Sequence, residues 1–421
     1  MINIRKIITS AIAGNALEFY DMLIYGFFAT TIAANFFPKQ DKSGGIASAF
    51  AIFFLGYLAR PLGAIVFGRI GDNFGRKPAL IMSIWLMAVS TCAMGLLPNY
   101  AMIGVWAPLL LLFVRSLQGF SMGGEYCGSL ILIIEHAPGN KRGFYGSLGV
   151  AGSALGLLLA SLVAWIIHHS FNELQVKQWA WRLPFLLGSL NGLVAWLARR
   201  RVPETQLFKE IVRLPKSYLK LYREYFNQLG NAVMIVMIKL FASILFYLIY
   251  IYMPTYMSNK LQYTMQQAIS IITISIVLLI LLEPCMGKLS DKVGRRPLLI
   301  SGLTGCVLWA WPYFWLLQQH SLVLAFLAQA VMTLFASAYI VIAIVVIVEI
   351  VPVHLRFTVV SLAYAVEASL FSGVTPFIAA LLIKATHSST SLILYLMAGA
   401  LISAFAVYKV RETKYVSPTD Q

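Results

Sequence analysis

Apolar runs of about 20 residues or more recur along nearly the whole chain, and each is long enough to cross a hydrocarbon layer of about 30 Å as a helix. They fall roughly at 7–35, 46–68, 78–97, 103–135, 142–168, 182–198, 228–253, 263–287, 297–317, 321–350, 357–383 and 389–408, which makes twelve spans in 421 residues. Composition points the same way. The chain is 60% hydrophobic and 11% charged with a mean hydropathy of +0.80, against about 45–50% apolar residues in a soluble domain. Lipid is therefore the expected solvent, and an all-α membrane protein the expected class.

A net charge of +16 is the usual footprint of a nucleic-acid binder, but the positions of the charges exclude that reading. Most of the 32 Lys and Arg fall on segments that share one side if the N-terminus is cytoplasmic, as positive-inside topology requires. Twelve spans then place both termini in the cytoplasm. The densest cluster, Arg199, Arg200, Arg201, Lys209, Arg213, Lys216, Lys220 and Arg223, lies between helices six and seven. There it can also rest on anionic lipid headgroups. Cys92, Cys127, Cys285 and Cys306 fall inside the spans without metal-ligand spacing and read as small apolar residues. The first apolar stretch carries Glu18 and Asp21, so it reads as a retained helix and not as a cleavable signal.

Two repeats divide the chain. "GRIGDNFGRKPAL" from Gly68 returns as "GKLSDKVGRRPLL" from Gly287, and "EHAPGNKRGFYGSL" from Glu135 returns as "EIVPVHLRFTVVSL" from Glu349. They follow helices two and eight, and four and ten. The expected organisation is a six-helix bundle over 1–200, a cytoplasmic linker over 201–226 broken by Pro203 and Pro215, and a second six-helix bundle over 227–421. Two parallel halves with a site near mid-membrane between them are a known transporter architecture.

The repeated turn needs Gly68, Gly75, Gly287 and Gly294 for close helix approach and a tight reversal, with an acid held between basic groups and helix ends. Asp72 with Arg76, and Asp291 with Arg295, are expected to form ion pairs that close the cytoplasmic side; static anchoring of the loop is the plainer reading. Glu135 and Arg142, and Glu349 and Arg356, sit at cytoplasmic helix ends and are assigned to the same network.

"NALEFYDMLIYG" from Asn15 sets Glu18 and Asp21 inside helix one, three residues apart and so on one helix face. At about 1.5 Å per residue, Glu18 is roughly 16 Å from one end of its helix, and Arg115 roughly 18 Å from the opposite end of helix four. Arg60 is about 12 Å into helix two. One cavity can hold all four. Ionisable groups at this depth cost at least a few kcal/mol each and persist when paired or lining a wet cavity. Glu18, Asp21 and Glu125 outnumber Arg60 and Arg115 by one, and one proton restores the balance. Burial favours a neutral carboxyl and a nearby guanidinium favours the ionised one. A carboxylate that gains and loses Arg115 can therefore take up and release a proton, with Arg115 gripping a substrate carboxylate in turn. A fixed ion pair is the structural alternative. Gln118 lies one turn from Arg115 and joins the candidate substrate site; Arg60, beside "PLG", is either a substrate contact or a packing anchor; and Glu125 is either a proton relay or a packing residue beside Gly123 and Gly124.

In the second half Lys239 and Glu367 fall at similar depth. They either set substrate selectivity, with Lys239 facing a carboxylate, or form a mutual structural pair. Tyr247, Tyr250 and Tyr364 at that depth can meet a quaternary ammonium by cation–π attraction, or simply pack. Glu283, beside Pro284, is assigned to the gate.

"GNALEFYD", "ARPLGAIVFGRIGDNFGRKP", "RSLQGFSMGGEYCGS", "KRGFYGS" and "WAWRLPF", in that order, resemble the major facilitator superfamily, and within it the metabolite:proton symporters of bacterial proline/betaine, 2-oxoglutarate, citrate and shikimate carriers. The resemblance spans the chain. It implies a twelve-helix fold in two pseudo-symmetric bundles, a location in the bacterial inner membrane, and import of a small carboxylate-bearing metabolite by proton symport. No cofactor or metal beyond the coupling proton is expected, and a monomer is the expected state. "VRETKYV" ends close to Gln421, so the long C-terminal extension of osmosensing members, and with it osmotic activation, is not expected. The drug-antiporter signature in helix five is absent; "GSLGVAGSALG" offers small residues for close packing. A proton-coupled exporter or uniporter is the alternative within transport, and a transport-dead membrane sensor the alternative outside it. No nucleophile, metal set or cofactor platform appears, so an enzyme is not expected.

Overall fold

A computed structural model of the chain describes residues 4–38, 42–74, 76–123, 125–189, 192 and 227–414. Among these residues the protein is helical with no strand. Helix one runs Ile4–Phe27 and resumes as Ala29–Phe36; helix two runs Lys42–Leu58 and Arg60–Phe74; helix three is Arg76–Leu96. Helix four comes in pieces, Tyr100–Ile103, Trp106–Ser121 and Glu125–His136, the first two separated at Gly104, which takes a positive φ of 58°. Helix five is Arg142–Ser170, and helix six is described over 183–189. The expected linker, 201–226, lies outside the described residues.

Helix seven runs Leu229–Phe246, passes through a π-helical stretch at Tyr247–Tyr252 and ends as Met253–Lys260. Helices eight, nine and ten are Met265–Val293, Arg295–Leu317 and Leu322–Glu349. Helix eleven joins Val353–Glu367 to Thr375–Thr386 through a second π stretch, Ala368–Ser372, and helix twelve is Thr390–Lys409. Helix eight begins with a capping box, Thr264 and Gln267 each holding the other's backbone N–H, as its "TMQQ" start allows. Helices two and eight run further than their apolar stretches, through the repeated turn.

Eight helices among the described residues are long and apolar enough to cross a membrane by length and composition alone. The other spans miss that measure for visible reasons. Helix one carries Glu18 and Asp21, helix three counts only over Ile81–Leu96 among residues with described side chains, helix four is broken, and helix six lies partly outside the described residues. The protein is an integral membrane protein of twelve helices in two six-helix bundles. An even number of crossings brings both ends of the chain to one face, the terminal face. Large apolar side chains stand outward on many helices, among them Phe113 at 60%, Leu308 at 78% and Leu401 at 73% exposure. Exposure of that kind is stable where the surrounding medium is hydrocarbon.

The halves meet mainly along helix five against helix eight, and helix two against helix eleven. Within the first half, helices two and four approach to backbone contact. A β-carbon on Gly119 would strike the Gly56 carbonyl, one on Gly63 the Phe120 carbonyl, and one on Gly123 the backbone of Gly63 and Ala64. Small residues are what permits such packing where the hydrophobic effect between helices is weak. Replacing Gly119 by Leu should therefore force these helices apart at a cost of about 1–3 kcal/mol or more, read as a melting temperature in detergent lowered by several degrees. Gly230→Ala, where a β-carbon meets nothing within 4 Å, should leave it unchanged or slightly raised.

Candidate functional site

The centre of the first half is built on Arg115, which is 0% exposed on helix four. Its Nη2 donates to the Met22 carbonyl at 3.0 Å and its Nη1 to Gln118 Oε1. The guanidinium lies 4.8 Å from the Tyr25 ring centre and 4.6 Å from that of Phe53. Gln118 is fixed in turn, its Nε2 donating to Thr91 Oγ1 at 2.7 Å and to the Asp21 backbone carbonyl at 3.2 Å. Arg60, also buried, lies 4.8 Å from the Tyr57 ring centre, and its Nη2 reaches Met122 Sδ at 3.3 Å. Among the described residues neither arginine has a carboxylate partner, and the Nε of each has no hydrogen-bond acceptor. Aromatic faces thus hold both buried cations, with a carbonyl oxygen on Arg115, and neither forms an ion pair among the described residues.

The two carboxylates of helix one diverge. Glu18 lies within electrostatic reach of Tyr57, Arg60, Tyr126 and Cys127. Asp21 turns towards helices three and six, where a β-carbon on Gly188 would meet both its Oδ1 and Thr91. The expectation that they share one face and pair with Arg115 is corrected here. A separation of three residues leaves about 60° between side-chain directions on a helix of 3.6 residues per turn, and the packing partners exploit it.

In the second half Lys239 and Glu367 meet at 2.8 Å. Lys239 also donates to Ser243 Oγ at 2.9 Å and stands 4.3 Å from the Tyr364 ring centre. Ser372 joins Ser243 at 2.8 Å. Glu367 sits at the entry to one π-helical stretch and Tyr247 opens the other, and such local irregularities are frequent at functional sites. Tyr364 packs on Tyr126 with ring centres 5.5 Å apart, while Tyr250 donates to Thr333 at 3.0 Å on helix ten. Across the halves the hydroxyls of Tyr57 and Tyr247 are 2.6 Å apart, and Ser369 donates to the Tyr57 carbonyl at 2.8 Å.

Both ends are also bridged. Away from the termini, Trp165 donates to Ser270 at 2.9 Å and Gln266 meets His169 at 2.7 Å. At the terminal face, Asp291 accepts the Gly143 and Phe144 amides at 2.8 and 2.9 Å, a carboxylate on the N-terminus of a helix from the other half. Arg295 binds Asp291 at 2.7 Å and Glu349 at 3.1 Å, and Arg356 reaches Glu135 at 3.2 Å. Gly287 presses on the Gly143 carbonyl and Ser147, and Gly294 turns with φ 112°. Arg142 stands within electrostatic reach of Arg356. Among the described residues the halves are thus bridged at both ends, with aromatic contacts between.

Gly75 lies outside the described residues, and the side-chain surroundings of Gly68, Asp72, Arg76 and Glu125 are likewise undescribed. Glu283, assigned to the gate, makes no hydrogen bond or ion pair with the gate residues and lies deeper. Sequence reasoning missed Tyr57, although it sits three residues before Arg60 and hence on the same helix flank. It also missed Glu412, which caps the Arg295 and Arg296 amides at 2.8 and 3.0 Å, and Thr413, which donates to Glu349. "KVRET" from Lys409 echoes "RVPET" from Arg201, a third repeat that marks both residues.

The family description "Major Facilitator Superfamily" matches residues 12–368 and 235–420. The chain belongs to the major facilitator superfamily. Members of this superfamily carry solutes, and this chain is a transporter and not an enzyme. It is 33% identical over 423 residues to the proline/betaine transporter of Salmonella typhimurium, covering 97% of this chain and 84% of that one. It is also 33% identical over 420 residues to the glycine betaine/proline/ectoine/pipecolic acid transporter OusA of Dickeya dadantii, with the same coverage of 97% and 84%. In fold it matches a D-xylose-proton symporter with a TM-score of 0.77 at 20% identity, over 98% and 99% of the two chains. The inward-open xylose transporter XylE of E. coli matches with a TM-score of 0.74 at 20% identity, over 99% of each chain. These are the two pseudo-symmetric bundles of the superfamily.

Within this major facilitator protein the Lys239–Glu367 pair gives a direct test of how its buried charges are held. Lys239→Ala should leave Glu367 buried without its cation and destabilise by about 3–5 kcal/mol. The double variant Lys239→Ala with Glu367→Ala should recover much of the lost melting temperature. Additive losses in the thermal double-mutant cycle would mean the two side chains do not act as a pair.

Proposed function

We propose that the protein imports a small carboxylate-bearing solute, a zwitterion such as proline or betaine or an organic acid, by proton symport with alternating access. The observation that carries this reading is the pair of buried guanidiniums, Arg60 and Arg115, with no carboxylate partner among the described residues. A solute carboxylate supplies the missing charge, and a guanidinium can grip it bidentately. The printed substrates of the relatives, proline and betaine, carry that group.

In this reading Arg115, positioned by Gln118, and Arg60 bind the carboxylate at the middle of the membrane. Tyr57, Tyr247 and Tyr364 offer aromatic faces to the cationic end of a zwitterion, and Lys239 with Glu367 sets the charge of the opposite wall. Glu18 shares its field with Arg60 and Tyr57 and is the coupling carboxylate, while Asp21 supports helix one against helices three and six. Glu125 serves the proton route. The network of Asp291, Arg295, Glu349, Glu135 and Arg356 closes the terminal face, with Asp72 and Arg76 as its first-half counterpart. That face is cytoplasmic, as the basic residues require. The two halves, 1–200 and 227–421, rock about the site on the 201–226 linker. The protein works as a monomer in the bacterial inner membrane, with protons in place of any cofactor. One proton entering with a potential of 100 mV, inside negative, supplies about 2.3 kcal/mol, about fifty-fold accumulation of a neutral zwitterion.

Purified protein in liposomes should accumulate proline or betaine when the outside is made acidic. Glu18→Gln should abolish that accumulation and keep exchange of labelled for unlabelled solute, whereas Asp21→Asn should slow both without uncoupling them. Accumulation by the Glu18→Gln variant equal to the parent's would reject the coupling assignment.

A further inference from the structure

Glu283 is 1% exposed in the interior of helix eight, and its Oε2 is buried with no hydrogen-bond partner. Among the described residues it takes part in no ion pair, in contrast to Glu367, Asp291 and Glu349, which all face a cation. Titratable groups within electrostatic reach of it include two phenols, Tyr126 on helix four and Tyr250 on helix seven. Helices five, seven, nine and ten pack on helix eight; helix seven brings Lys260 to the end away from the termini, and the others bring Arg142, Arg295 and Glu349 to the terminal end, where Arg295 and Glu349 bind each other. On helix eight itself Lys288, Asp291 and Lys292 lie further towards that end, and Asp291 is taken by Arg295 and the helix five amides. Among the described residues no cation pairs with Glu283.

Its place in the fold is mechanical as well as electrostatic. One turn on, Gly287 lies against the Gly143 carbonyl and Ser147 of helix five, so Glu283 sits beside the seam on which the halves close. Pro284 follows it inside the helix and removes a backbone hydrogen bond there. A carboxylate without a partner is strongly disfavoured in an apolar interior, and the neutral acid is favoured. Parting helix eight from helix five at the terminal face admits water and reverses that preference.

We propose that Glu283 is a second proton-carrying residue, additional to the helix one carboxylate. It takes a proton from water on the far side to become the neutral acid, keeps it while the halves are closed, and gives it to water on the terminal side when the seam opens. The proposal rests on the proton-symport reading for its transport consequence, and on the structure alone for the protonation state.

Two measurements test it. Infrared spectra of the purified parent at neutral pH should contain a protonated carboxyl band that Glu283→Gln removes. An unchanged spectrum would overturn the proposal. In liposomes with the potential clamped at zero, two protons per solute give about 100-fold accumulation of proline or betaine per unit of pH gradient, and one gives about tenfold. Glu283→Gln should lower the steady-state ratio from the first value to the second, and Glu283→Asp, which keeps the acid, should restore it. A parent ratio near tenfold, or a Glu283→Gln ratio equal to the parent's, overturns the proposal. No pH-driven accumulation by the parent would sink the symport reading, and the infrared result would then decide the protonation of Glu283 by itself.

Discussion

Two guanidiniums buried among membrane-spanning helices, without carboxylate partners among the described residues, are the constraint on which the rest of the molecule depends. Placing a charge at that depth costs at least a few kcal/mol, and the chain offsets this with what surrounds it. Tyr25 and Phe53 face Arg115, Tyr57 faces Arg60, and the Met22 carbonyl and Gln118 accept from Arg115. None of these partners cancels the charge. The arrangement is stable enough to fold and still attractive to an anion, which is the condition a reusable binding site has to meet.

The charged network at the terminal face solves the opposite problem. There Asp291, Arg295, Glu349, Arg356 and Glu135 each have a partner of opposite sign or a helix end, and several of those partners belong to the other half. Asp291 on the helix five amides and Glu135 on Arg356 join the halves directly. Arg295 and Glu349 stiffen the second half behind them, with Glu412 and Thr413 drawing in the segment after helix twelve. Contacts of this kind are worth little when exposed and more when buried with their lone pairs satisfied. A network at a water-facing seam can therefore close firmly and still be opened by wetting.

Much of this was legible in the sequence, because the bilayer imposes a length on every span and the two internal repeats fix the halves. Arg115, Arg60, Lys239 and Glu367 announced themselves as charges where charge is expensive. Their partners did not. Helical spacing put Glu18 and Asp21 on one face, and the packing of helices three and six against helix one turned Asp21 away. Arg115 was expected beside a carboxylate and found beside rings and a carbonyl, since cation–π contacts leave no charge pattern in a sequence. The π-helical stretches at Tyr247 and Ala368 have no local signature either, and Glu283 was assigned by its distance from the gate motif when its neighbours decide its character.

The most direct test of the account is thermal stability of the purified protein with matched ligands that differ only in the carboxylate: proline against pyrrolidine, and betaine against choline, with 2-oxoglutarate, citrate and shikimate beside them. A ligand at 100 times its dissociation constant stabilises the folded state by about 2.7 kcal/mol. The account predicts that carboxylate-bearing compounds raise the melting temperature by several degrees, that their carboxylate-free partners do not, and that Arg115→Lys weakens the effect. Equal stabilisation by pyrrolidine and choline, or stabilisation by hydrophobic cations alone, would contradict it.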